Sequence, residues 1–79
     1  MRYGSIVQIS GPVVDVRFAG KHPPKIREAL SVTVDGEERI MEVAQHVGDS
    51  TVRCVMLAGS EGLARGMKVE APGHPIQVP

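Results

Sequence analysis

The chain has 79 residues, nine Lys plus Arg against nine Asp plus Glu, and 42% hydrophobic residues. That is enough for one small domain with a compact core, because folding at this size buries only about 60% of the surface of the open chain. It leaves no room for a second domain or a large internal cleft. The balanced charge and the absence of a basic stripe argue against a general polyanion or nucleic-acid binder.

One cysteine, Cys54, cannot form an internal disulfide, and no paired Cys or His spacing suggests a zinc site. The first ten residues, MRYGSIVQIS, lack the apolar run of a secretory signal, and no stretch reaches the roughly 18 to 20 apolar residues of a membrane span. The expectation is an intracellular location without direct membrane insertion.

Nine Gly and six Pro spread along the chain leave little room for helices of three or more turns. The first predicted strand, Ser5 to Ser10, carries Ile6, Val7 and Ile9, and Gly11-Pro12 then marks a corner or bulge. Val14, Val16 and Phe18 alternate with Asp15 and Arg17, the period of two that sends one set to a buried face and the other outward. The segment Ala19 to Ile26, with Pro23-Pro24, reads as an extended surface loop. Leu30, Val32 and Val34 alternate with Ser31, Thr33 and Asp35, and Asp35-Gly36 is a hairpin signal because both residues tolerate positive φ.

In the returning strand, Arg39 to Val47, the expectation is that Met41, Val43, Gln45 and Val47 share one face. Gly48-Asp49-Ser50 supplies the next turn. Thr51 to Leu57 is apolar on both faces, with Val52, Cys54 and Met56 on one and Val55 and Leu57 on the other. Ala58 to Gly66 is expected to make one helical turn around Glu61 to Ala64, with Ser60-Glu61 as its start signal. Met67 to Glu70 offers a last short strand, and the proline-rich tail reads as a linker.

About six short strands joined by tight turns predict an all-β fold. Closing them into a small six-stranded β-barrel, fully or nearly, satisfies edge groups that an open sheet would expose. Residues 1–72 form this barrel and 73–79 the start of a linker.

Catalytic patterns are weak. Gly59, Gly62 and Gly66 with Lys68 do not form a phosphate loop, since Met67 precedes the lysine, Val69 follows it and no long helix comes after. They read as turn glycines. His22, His46 and His74 lack metal-ligand spacing, and Glu37 and Glu38 flank a hairpin tip rather than a cleft. Cys54 sits in an apolar strand, with Arg53 on the opposite face, and reads as a small buried hydrophobe. Only Tyr3 and Phe18 are aromatic, so base stacking is poorly supplied. No catalytic, cofactor or metal residue emerges.

Three segments in their order and spacing carry a family resemblance: GSIVQISGPVVDVRF, MEVAQHVGDSTVRCVMLAGSEGLARGMKV and GHPIQVP. Together they resemble the N-terminal domain of the beta subunit of rotary, F-type ATP synthases. Glu42 to His46 with Thr51 to Arg53 resembles the beta subunit in particular, and Gly62-Leu63 with Arg65-Gly66 adds to this, whereas Gly11 to Val16 also suits related subunits.

The resemblance implies a non-catalytic assembly domain that forms a crown ring with alpha-subunit barrels in a peripheral complex on the cytoplasmic face of the bacterial plasma membrane. Partners would be the alpha subunit and other subunits of the catalytic head. Mg-ATP and ADP would belong to the nucleotide-binding domain of the full subunit, beyond the matched segments. Asp15, Arg17, Val55 and Leu57 are the candidate interface residues. The rival readings are an independent β-barrel adapter or nucleic-acid-binding module and, weakest, an independent hydrolase.

Overall fold

Branched apolar residues alternating with polar ones generate six strands: β1 Arg2–Ser10, β2 Val13–Phe18, β3 Ala29–Val34, β4 Glu37–His46, β5 Thr51–Met56 and β6 Lys68–Ala71. The computed structural model describes residues 2–20, 22–48 and 50–72. The strands close into a barrel in the order β1-β2-β5-β4-β3-β6, with every pairing antiparallel. The expected all-β, six-stranded barrel is the observed fold, and it is closed. The linker expected at 73–79 lies outside the described residues, as does His74.

Val14, Val16 and Phe18 of β2 point into the barrel with Leu30, Val32 and Val34 of β3 and Val52, Cys54 and Met56 of β5. Ile6, Met41, Val43, Val69 and Ala71 complete the filling, and Leu63 and Met67 pack at its margin. At β1, Gly4 lies against Phe18: a Cβ there would stand 2.7 Å from the Arg17 carbonyl oxygen and 3.0 Å from the ring.

The Asp35-Gly36 hairpin is as expected. Both residues have positive φ, 51° and 80°, the signature of a type I′ turn, and Val34 pairs with Glu37 across it. Gly11-Pro12 differs from expectation. It is the tight turn of a β1–β2 hairpin, with Gly11 at φ 59° and Ser10 paired with Val13. A positive φ followed by the proline-fixed negative one matches a type II′ turn.

The bulge lies earlier, where Ile6 pairs with Val16 and Gln8 with Asp15, leaving Val7 as the extra residue. This lets both Ile6 and Ile9 reach the core although they are three apart.

A second bulge, in β4, corrects the expectation that Met41, Val43, Gln45 and Val47 share one face. Val43 pairs with Cys54 but Gln45 with Arg53, so Ala44 is the extra residue and the alternation changes sign. Gln45 therefore joins the outer face, and His46, opposite Val52, turns toward the barrel end. Its Nε2–H donates to the Pro24 carbonyl over 2.7 Å. Pro24 is itself fully buried, so the loop expected to lie wholly on the surface contributes a plug.

The turn leading into β3 is fixed by Glu28, which is buried and whose Oε1 accepts from the Lys25 backbone N–H at 3.1 Å. Arg27 within it takes φ 74°.

No helical turn forms between Ala58 and Gly66. The Leu63 N–H donates to the Ser60 carbonyl and the Met67 N–H to the Ala64 carbonyl, making two successive β-turns. Gly62 and Gly66 occupy their third positions with φ 84° and 93°. That positive φ is what a type II turn demands and what a right-handed helix forbids. Ser60 thus acts through its carbonyl as a turn acceptor and caps no helix.

Candidate interaction surface

On β2 the inward set Val14, Val16 and Phe18 forces Val13, Asp15 and Arg17 onto the outer face. The register with β5 opposes Val13 to Val55, Asp15 to Arg53 and Arg17 to Thr51. Three of the four candidate interface residues, Asp15, Arg17 and Val55, therefore occupy one continuous outer strip. Leu57 follows just past the end of β5, where its N–H donates to the Ile40 carbonyl of β4 at 3.1 Å.

The four differ in what they present. Leu57 is 57% exposed and Val55 38%, so neither is covered by the other described residues. The loop from Ala58 to Gly66, a possible cover, instead packs Leu63 onto the core. Arg17 is exposed. Asp15 lies on the outer face as expected but is only 7% exposed.

The reason is Arg53, whose Nε and Nη2 donate to the two carboxylate oxygens of Asp15 at 3.0 and 3.2 Å. This side-on, bidentate geometry matches the planar fork of the guanidinium to the carboxylate. The hydrogen bond and the charge of Asp15 both push the Arg53 guanidinium above its already high range. A molecule approaching the strip meets Arg53 before Asp15. Beside the pair lies a half-open hollow of about 290 Å³ lined by Gln8, Ser10, Val13, Asp15 and Arg53.

Arg53 is the functional candidate that the sequence reading passed over. Its partner is 38 positions away, and the only available signal was the opposite sign of two outward charges on strands not yet known to pair.

Catalytic chemistry finds little to work with. Cys54 is fully buried, and burial pushes its thiol up to about 12, with the negative charge of Asp15 adding to the effect. A thiol held protonated is a poor nucleophile and a poor metal ligand. Among the described residues no three His, Cys, Asp or Glu side chains come together to hold a metal ion. Gly62 and Gly66 serve the two turns described above. Glu38 accepts from the Ser31 hydroxyl at 2.7 Å, and Glu37 pairs with Arg39 at 3.3 Å, so the hairpin-tip carboxylates are engaged separately.

The arrangement is a filled interior and, outside it, a strip that sets two exposed aliphatic side chains beside the Asp15–Arg53 ion pair. In comparison with known families, residues 6–73 match the ATP synthase alpha/beta family, beta-barrel domain.

Proposed function

The chain belongs to the ATP synthase alpha/beta family as its beta-barrel domain, and from that premise we propose that it is the N-terminal barrel of the beta subunit of an F-type rotary ATP synthase. In this reading it is a non-catalytic assembly module. It alternates with alpha-subunit barrels in a crown ring, and the ring holds the catalytic head together within a peripheral complex on the cytoplasmic face of the bacterial plasma membrane. Such a ring uses heterologous contacts, one side of each domain meeting a different side of its neighbour until the rotation closes.

The observation that supports this most is the closed barrel with a filled interior and an outer strip whose Val55 and Leu57 no other described residue covers. Val55 and Leu57 supply apolar area, while Arg17 and the Asp15–Arg53 pair supply orientation. A stiff barrel suits an anchor against which other domains open and close. Magnesium nucleotide belongs to the nucleotide-binding domain of the full subunit, and residues 73–79 begin the connection toward it.

The test is to mix the 79-residue chain with the corresponding alpha-subunit barrel and, separately, with single-stranded RNA, following association by analytical ultracentrifugation. We expect association with the alpha barrel that weakens when Leu57→Glu is introduced. Binding to RNA alone, falling steeply with salt, overturns the assembly reading in favour of a nucleic-acid module. Saturable micromolar binding of magnesium ATP in a calorimeter overturns its non-catalytic character.

A further inference from the structure

The six seams of the barrel are unequal. β1 with β2 and β3 with β4 are joined along their lengths, from Gly4↔Phe18 to Ser10↔Val13 and from Ala29↔Glu42 to Val34↔Glu37. β6 is held to β1 from Arg2↔Ala71 to Ser5↔Lys68. Among the described residues, the register between β3 and β6 consists of one pair, Ser31↔Glu70. A hollow of about 350 Å³ lies over that seam on the outside, among Ser31, Glu38, Ile40, Glu70 and Pro72. On the inside, Leu30, Val32, Val69 and Ala71 are all buried in the core.

The loop between β5 and β6 bridges the two sides of this seam. Arg39 lies opposite Val32 and so on the inner face of β4, near the barrel mouth. Its Nη1 donates to the Gly59 carbonyl at 3.0 Å and to the Glu61 carbonyl at 2.5 Å. Past Gly62, which lies against Val34 at the end of β3, the loop is fastened to β1. There the Gly66 N–H donates to the Ile6 carbonyl at 2.7 Å, and the Ile6 N–H to the Met67 carbonyl at 3.0 Å. The loop is thus fastened at one end to the β3–β4 hairpin, through Arg39, and at the other to the β1–β6 pair, so the hairpin cannot part from β6 without breaking one of these fastenings.

We propose that the barrel opens locally at the β3–β6 seam, and that Arg39, by latching the loop to β4, sets how often it opens. Swinging the β3–β4 hairpin away from β6 separates Arg39 from the loop carbonyls, so these hydrogen bonds break in the same event as the seam. The β1–β2, β2–β5 and β4–β5 seams remain intact, and β6, still paired with β1, gains freedom to tilt. This inference concerns the barrel itself and does not depend on which subunit the chain represents.

Native-state hydrogen exchange on the 79-residue chain tests it, with the urea stability of each variant measured in parallel. In the unsubstituted chain, the amides of β3 and β6 that face the seam should exchange through an opening cheaper than global unfolding, while β2–β5 amides exchange at the global limit. Arg39→Ala should accelerate the seam amides about tenfold beyond any change in global stability, the lower end of what hydrogen bonds from a charged donor contribute. Arg39→Lys, which keeps a charge without the fork, should fall between.

Seam amides protected to the global limit in the unsubstituted chain overturn the proposal. So does an Arg39→Ala effect equal at all amides. If Arg39→Ala does not fold, the unsubstituted chain and Arg39→Lys carry the same comparison.

Discussion

Raising the pH should loosen this barrel through Cys54. Its thiol is fully buried on β5, and burial first, then the charge of Asp15, lifts its pKa from 9.0 to about 12. The folded state thus holds the thiol proton more tightly than the unfolded chain does. The associated stability is complete below pH 9 and is lost as pH rises through about 12. Within that window the slope approaches about 1.4 kcal/mol per pH unit, so on the order of 2 kcal/mol is gone by about pH 10.5. A domain of this size has a total of only about 4–12 kcal/mol.

The assay is urea unfolding followed by circular dichroism at a series of pH values, comparing the chain with Cys54→Ala. The variant starts lower, because removing a buried sulfur leaves a small void that costs about 1 kcal/mol. Its stability should nevertheless fall less steeply above pH 9. Parallel pH profiles for the two proteins refute the reasoning, as does native-state labelling of Cys54 at pH 8 at the rate of a free thiol, since either means that water reaches the inside.

Further substitutions probe the packing and the surface. Val14→Asp puts a carboxylate at a fully buried core position and should abolish the cooperative thermal transition, a loss of about 3–5 kcal/mol; a melt like that of the parent reverses the assigned faces. Gly62→Ala combines φ 84° with a Cβ 2.8 Å from Val34 Cγ1, and should lower stability by about 1–2 kcal/mol in urea titration. Leu57→Glu alters a side chain that is 57% exposed, so its effect on folding should stay within about 0.5 kcal/mol while association with an alpha-subunit barrel weakens.

The strands and their buried faces were legible because period-two alternation is a local property: Val14, Val16 and Phe18 point inward whatever they pair with. The two bulges were not. An extra residue at Val7 or Ala44 exists only relative to the partner strand, and so Gln45 was placed on the wrong face. The loop after β5 failed for a different reason. Its Ser-Glu-Gly-Leu-Ala run has local helical character, and four-residue spacing of Gly62 and Gly66 fits one helical turn as well as two β-turns. Tertiary contacts decide for the turns, since Arg39 takes the Gly59 and Glu61 carbonyls and Ile6 takes the end of the loop. The outward strip was half visible. Its aliphatic members stood out by exceeding the alternation, whereas the burial of Asp15 depends on Arg53 across a pairing that no local pattern encodes.

Closure of the sheet also constrains how such a domain can hold a neighbour. An open sheet can recruit a partner by adding a strand, because its edge offers a row of unpaired backbone groups. Here β1 and β6 pair with each other, and the loop from Leu57 to Met67 crosses one mouth, so that route is shut except where the β3–β6 register thins to a single pair. Lasting contacts must then be made by side chains on the outer faces. Those on β2 and β5 project from two strands joined from Val13↔Val55 to Arg17↔Thr51, well away from the thin seam. Val55 stands in that pairing, so an opening at the β3–β6 seam leaves it, and the proposed contact strip along β2 and β5, in place.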